Sequence, residues 1–165
     1  MRFLIEKLNK NHHKSNFDCD NELLNNYIQK QAKQDVNRDL SVCYVLNEID
    51  AKIVLGYYTL SANSTDRNDF PPELVQKMPL SYANFPTILL GRLAVEKAVK
   101  GQGFGAVLLL DALKTCVDIS ERLGTLAVIV EPIDENAISF YKKYGFISIP
   151  SNNKMFIPIK TIPNF

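Results

Sequence analysis

The stretch Leu90-Gly91-Arg92-Leu93-Ala94-Val95-Glu96-Lys97-Ala98-Val99-Lys100-Gly101-Gln102-Gly103-Phe104-Gly105-Ala106-Val107-Leu108-Leu109-Leu110 decides the fold. It opens inside an apolar run, Ile88 to Val95, interrupted only by Gly91 and Arg92, which reads as a buried strand. A short loop with glycines at Gly101, Gly103 and Gly105 follows. An apolar periodic segment then runs from Ala106 to about Leu123, the size of a helix. Strand, glycine loop and helix make an anion site. Glycine lets the backbone approach a ligand closely, and the first N–H groups of a helix have no partner within it. A phosphate or pyrophosphate is the guest this arrangement suits.

Two common phosphate loops do not fit. The dinucleotide fingerprint G-x-G-x-x-G fails because Leu108 stands where its last glycine should be, and no Gly-Lys-Ser/Thr follows to make a P-loop. A second segment narrows the choice. Asp134-Glu135-Asn136-Ala137-Ile138-Ser139-Phe140-Tyr141-Lys142-Lys143-Tyr144-Gly145-Phe146 reads as a capped helix: Asp134 suits the N-cap, Glu135 the positive helix start and Gly145 the left-handed C′ position.

Together the two segments resemble the signatures of the GNAT superfamily of N-acetyltransferases. Lys100 to Gly105 resembles its Gln/Arg-x-x-Gly-x-Gly/Ala motif, with Lys100 where the family usually has Gln or Arg; Asn136 to Phe146 resembles its N-x-x-A-x-x-F-Y-x-x-x-G-F segment. The resemblance implies an α/β (α+β) GNAT fold: a mixed central sheet of about six to seven strands flanked by helices, with a splayed strand pair holding acetyl-CoA. It carries cofactor contacts onto Leu93, Ala94 and Val95, onto Lys100, Gly101, Gln102, Gly103, Phe104, Gly105 and Ala106, and onto Asn136 and Tyr141. Tyr141 is also its candidate for the acid that protonates the departing thiolate. No metal is implied.

Within the superfamily the chain resembles the toxins of bacterial toxin–antitoxin pairs that acetylate aminoacyl-tRNA. Phe17-Asp18-Cys19-Asp20-Asn21-Glu22-Leu23 resembles their N-terminal F-x-C-x-x-x-L, Gly56 to Ser61 their third strand, and Leu90 to Val95 their central strand. That implies an aminoacyl-tRNA substrate, a ribbon-helix-helix antitoxin, operator DNA bound only through the antitoxin complex, and a cytoplasmic location; a homodimer is left open. Arg92 is the first candidate for RNA or substrate contact, or for pairing with an internal carboxylate. Lys33 and Arg38 are weaker, as are Arg67, Lys77, Lys97 and Lys142. Two other readings stay open: an acetyltransferase for a small amine, peptide or protein lysine, with Asp66, Asp69 and Glu73 available for an acidic pocket, and a member that only binds.

The remaining sequence sets bounds. One domain over 1–165 is the expectation for this length. Charge is nearly balanced at +1, so composition alone points to no nucleic-acid partner. No apolar run approaches the roughly 18 residues of a membrane span, and the start, Met1 to Lys7, does not resemble a leader. Cys19, Cys43 and Cys116 lack metal-ligand spacing and read as reduced thiols. Adjacent His12 and His13 cannot share one face, so both are expected at the surface. A helix from Phe17, capped by Asp18 or Asp20, should bury Leu23, Leu24, Tyr27, Ile28 and Ala32. The element order expected is β-α-β-β-β-α-β-α-β-β.

Overall fold

A computed structural model describes residues 2–164; Met1 and Phe165, the ends of the expected single domain, lie outside the described residues. The elements are β1 (Phe3–Lys7), α1 (Glu22–Asn26), a π-helical turn (Tyr27–Gln31), α2 (Ala32–Asn37), β2 (Val42–Glu48), β3 (Val54–Asp66), α3 (Pro72–Val75), β4 (Asn84–Val95), α4 (Phe104–Ser120), β5 (Ala127–Val130), α5 (Glu135–Lys143), β6 (Ile147–Ser148) and β7 (Met155–Pro158). The expected order holds once α1, the π turn and α2 are taken as one helix, with the short α3 added between β3 and β4. The seven strands form one mixed sheet in the order β1-β2-β3-β4-β5-β7-β6. Its pairs are antiparallel at β1–β2, β2–β3, β5–β7 and β6–β7, and parallel at β4–β5 from Thr87↔Ala127 to Leu90↔Val130. The parallel strand β5 is buried at all four positions, as its uninterrupted apolar run requires.

The chain divides into two compact units, the described residues of Met1–Ser61 with Gly91–Ala112, and Ala62–Leu90 with those of Leu113–Phe165; it passes between them within β3, β4 and α4. The first unit is built around Phe17, Tyr27, Ile28, Cys43, Val45, Tyr57 and Ala94. The second is built around Phe70, Phe85, Ala127, Ile129, Ile149 and Phe156, with the Phe70 ring edge-on to those of Phe85 and Phe156.

Gly56 has a structural reason. A Cβ there would stand 2.7 Å from Leu108 Cδ1 of α4 and 3.0 Å from the Ala94 carbonyl oxygen of β4. It also sits at a bulge: Leu46 faces Gly56 while Asn47 faces Val54, so Leu55 is the extra residue.

Several expectations need correction. The N-cap of α1 is Asn21, whose Oδ1 accepts from Leu24 N at 3.1 Å; neither Asp18 nor Asp20 fills that role. Leu23 points outward, 81% exposed, while Tyr27, Ile28 and Ala32 are buried. The π turn after Asn26 changes the angular register, so the buried side does not follow the ordinary helical period. His12 is buried, not at the surface: Asn9 N donates to its Nδ1 at 3.0 Å and its Nε2 pairs with Glu6 Oε1 at 2.8 Å, whereas His13 is exposed. β3 runs on to Asp66, and β4 begins at Asn84, through Pro86, ahead of the apolar run that starts at Ile88. A short helix between them covers Pro72–Val75, and α4 stops at Ser120, short of Leu123. All three cysteines are free and buried, and burial pushes the Cys43 and Cys116 thiols up to about 12, so both stay protonated.

Candidate active site

In the first unit, β4 ends at Val95 and the chain makes a short 3-10 turn over Lys97–Val99 before entering the glycine loop. Gly101 and Gly103 take φ of 80° and 86°, a left-handed conformation that any side chain would strain. A Cβ at either would meet nothing within 4 Å, so space is not what demands glycine there. The backbone turn is the constraint. Val107 N donates to Gly103 O at 3.2 Å, the start of the α4 ladder. The N–H groups just before it belong to the first turn of a seventeen-residue helix, where no residue of the helix can accept them. These groups, with the helix dipole behind them, can hold a diphosphate. Phe104 is the anchor: its ring lies edge-on to Phe3 of β1 at 4.8 Å.

The Lys100 side chain is already engaged. Its Nζ donates to Cys19 O at 2.7 Å and lies 3.8 Å from Asp20 Oδ2. Lys97 is engaged as well, with Nζ 2.9 Å from Asp18 Oδ2 and its backbone N donating to Asp18 O at 2.8 Å. The loop's approach is thus tied to the segment before α1. Sequence reasoning overlooked this tie; its only signal was the pair of aspartates flanking Cys19.

Arg92, half-buried in β4, pairs with no carboxylate among the described residues. Its guanidinium carbon sits 3.5 Å from the centroid of the Tyr27 ring, a cation–π stack, and Tyr27 Oη donates to Asp35 Oδ2 at 2.9 Å. Burial, then the Asp35 carboxylate, push the Tyr27 phenol up to about 12. Leu93 and Val95 are half-buried and Ala94 is buried, while Lys33 and Arg38 are exposed.

In the second unit, α5 presents Asn136 and Tyr141. Asp134 caps the helix, accepting from Ala137 N at 2.8 Å. Gly145, at φ 97°, closes the far end, and Phe146 N donates back to Tyr141 O at 3.2 Å. Asn136 is exposed on the first turn. Tyr141 is buried, its ring edge-on to Phe140 at 5.4 Å and Phe146 at 5.2 Å. Its hydroxyl makes no hydrogen bond among the described residues. Burial raises the phenol well above its ordinary value, so it keeps its proton throughout the neutral range.

Arg67, a weak candidate for RNA contact, serves the loop between β3 and β4. Its guanidinium donates to the carbonyls of Pro79, Tyr82, Val75 and Met78. Of the carboxylates considered for an acidic pocket, Asp66 accepts from Asn68 N and Asp69 from Ser151 Oγ, so neither is left idle. Among the described residues no cluster of His, Cys, Asp and Glu could hold a metal ion, and no helix is long and apolar enough to cross a membrane.

The seven-stranded mixed sheet of this order, flanked by helices and with a glycine loop between β4 and α4, matches the GNAT fold. The acetyltransferase (GNAT) domain profile matches residues 39–148, and the chain belongs to that family, the N-acetyltransferases that take acetyl-CoA as donor. Among its relatives is a "tRNA-acetylating toxin" of Mycobacterium tuberculosis, 31% identical over 84% of this chain and 80% of its own. AtaT complexed with acetyl-methionyl-tRNAfMet superposes with a TM-score of 0.90 at 32% identity, covering 97% of this chain and 96% of AtaT. AtaT has also been solved bound to the C-terminus of the antitoxin AtaR, and AtaTR with acetyl-CoA. A tyrosine-to-phenylalanine mutant of KacT superposes with a TM-score of 0.91 at 30% identity, over 98% of this chain and 97% of KacT.

Proposed function

We propose that this chain is the toxin of a toxin–antitoxin pair and acetylates the α-amine of an amino acid esterified to tRNA. The observation that carries the reading is the near full-length likeness to AtaT, which was captured with acetyl-methionyl-tRNAfMet. The glycine loop and the end of β4 hold acetyl-CoA, the loop through its backbone N–H groups. The neutral amine attacks the thioester carbon, a tetrahedral oxyanion forms, the nitrogen gives up a proton to water, and the C–S bond breaks as the acetyl group passes to nitrogen. An α-amine has a pKa near 8, so roughly a tenth is neutral at pH 7, against fewer than one lysine in a thousand. Such an acceptor needs little help from a base.

Tyr141 donates the proton that the thiolate takes up. With its pKa raised by burial, it acts first as a hydrogen-bond donor to the sulfur as charge develops there. Asn136, on the first turn of α5, assists in holding the cofactor. Acetylation removes the nucleophilic lone pair, and the charged tRNA can no longer accept a peptide. A ribbon-helix-helix antitoxin neutralises the enzyme, and operator DNA is met only through that complex. The work is done where translation is done, in the cytoplasm.

The test is transfer from labelled acetyl-CoA in a cell-free translation mix containing intact aminoacyl-tRNA. Label on aminoacyl-tRNA with stalled synthesis is expected. Acetyl-CoA binding with label on small amines or protein lysines, and none on RNA, would overturn the tRNA reading while leaving the enzyme class intact.

A further inference from the structure

The segment Phe17 to Asn25 lies outside the glycine loop, yet its polar groups converge on the loop's approach. Asp18 carries most of that convergence. Its Oδ2 meets Lys97 Nζ at 2.9 Å, and its Oδ1 accepts from Asp20 N at 2.9 Å and from Asn25 Nδ2 at 3.1 Å. The backbone joins in: Lys97 N donates to Asp18 O at 2.8 Å, and Lys100 Nζ to Cys19 O at 2.7 Å. Asn25 returns the tie by accepting from Cys19 N at 2.8 Å, and Asp20, at φ 65°, turns the chain so that its carboxylate lies 3.8 Å from Lys100. Aspartate is among the side chains that enter the left-handed region most readily, so the turn costs little.

The two lysines nearest the glycines therefore spend their charge on protein groups. We propose that Asp18 is a positioning residue for acetyl-CoA: together with the Cys19 carbonyl it clamps Lys97 and Lys100, and so fixes the backbone N–H groups of Gly101 to Ala106 in the geometry that receives the cofactor's diphosphate. The F-x-C-x-x-x-L stretch is then a brace for the phosphate loop as well as the start of a helix. Lys97 and Lys100 are parts of the brace and not ligands of the phosphate. An alternative fails on direction: a lysine serving the phosphate would be weakened, not helped, by a carboxylate 2.9 Å away.

This inference rests on the reading that the loop holds the diphosphate, and the experiment separates the two. Dissociation constants for acetyl-CoA and for acetyl-pantetheine, which lacks the diphosphate, are measured by calorimetry on the full chain and on Asp18→Asn, Lys97→Met, their double variant and Gly103→Ala. Each brace variant should weaken acetyl-CoA binding roughly threefold to tenfold. The double variant should be no weaker than the worse single one, and acetyl-pantetheine binding should not move. Lys97→Arg, which keeps the pair, should restore wild-type affinity. If Asp18→Asn tightens acetyl-CoA while Lys97→Met weakens it, Lys97 is a phosphate ligand and the brace is refuted. Additive losses, unchanged affinity in both variants, or equal losses for both ligands would also overturn it. Lys97 is half exposed, so its variant is informative even if Asp18→Asn folds poorly. Normal acetyl-CoA binding by Gly103→Ala would instead reject the diphosphate reading of the loop itself.

Discussion

Of Tyr141 and the acceptor amine, only the amine should titrate across the neutral range. A phenol whose pKa is raised stays protonated as pH climbs, so loss of its proton cannot produce a falling limb between pH 6 and 9. The acceptor amine, with a pKa near 8, should make kcat/KM rise across that window. Tyr141→Phe should lower kcat by about 10²-fold or more and leave the profile's shape unchanged. A profile that flattened in the variant would show that Tyr141 had been titrating in the wild type. Asp18 obeys the opposite sign. Its carboxyl is held at about 2 by the Lys97 hydrogen bond first, then by Asp20 N and Asn25, so its contribution is complete above the ordinary carboxylate range and is lost as pH falls toward 2. Acetyl-CoA affinity in wild type and Asp18→Asn should accordingly run parallel from pH 5 to 9. The Arg92–Tyr27 stack belongs to this scale too. In a double-mutant cycle with Arg92→Met and Tyr27→Leu, denaturant unfolding should give a coupling of about 0.5–2 kcal/mol. Zero coupling would return Arg92 to the pool of groups free to meet substrate.

At the scale of elements, β3, β4 and α4 meet at Gly56. Gly56→Ala places a methyl group 2.7 Å from a Leu108 methyl, which can rotate away, and 3.0 Å from the Ala94 carbonyl, which cannot. Overpacking of this kind costs about 1–3 kcal/mol, so the melting temperature should fall by several degrees, and Gly56→Val should be worse. A wild-type melting temperature in Gly56→Ala would mean that β3 yields more easily than its burial suggests. Glycines and apolar runs made these elements legible in the sequence: whereas Gly56 is required by Leu108 and Ala94, distant in sequence, Gly101 and Gly103 in the loop and Gly145 closing α5 each have a local backbone cause. The same holds for Asp134, which caps α5 because nothing else competes for its carboxylate. Asp18 looked equally suited to cap α1, but Lys97, distant in sequence, takes the group that a cap would need. His12 was misplaced for a similar reason, since Glu6 and the Asn9 amide make its burial tolerable and neither partner is visible in a residue pattern. The π turn leaves no trace in composition, and Pro86 hid the true start of β4 because proline is a poor marker of strand interiors.

For the molecule as a whole, the question is how a chain with 19 basic and 18 acidic side chains engages RNA. Part of its positive charge is already engaged. Lys97 is paired with Asp18, Lys100 with Asp20, Lys52 with Glu6 and Lys154 with Glu131, while Arg67 serves four carbonyls and Arg92 a tyrosine ring. Lys33, Arg38, Lys77 and Lys142 are exposed and have no carboxylate within salt-bridge distance among the described residues. If these four are the groups that meet phosphate, binding of aminoacyl-tRNA should depend weakly on salt. The slope of log K against log salt falls by about 0.7–0.9 per phosphate contact, so about −2 to −4 is expected for one chain. Neutralising Lys33 and Arg38 together should flatten the slope by one to two units if both touch phosphate, leaving acetyl-CoA affinity unchanged. A wild-type slope near −8 would require about twice the phosphate contacts these residues supply. That result would direct attention first to the other exposed basic residues of the same chain, Lys7, Lys10, Lys30, Lys114 and Arg122 among them.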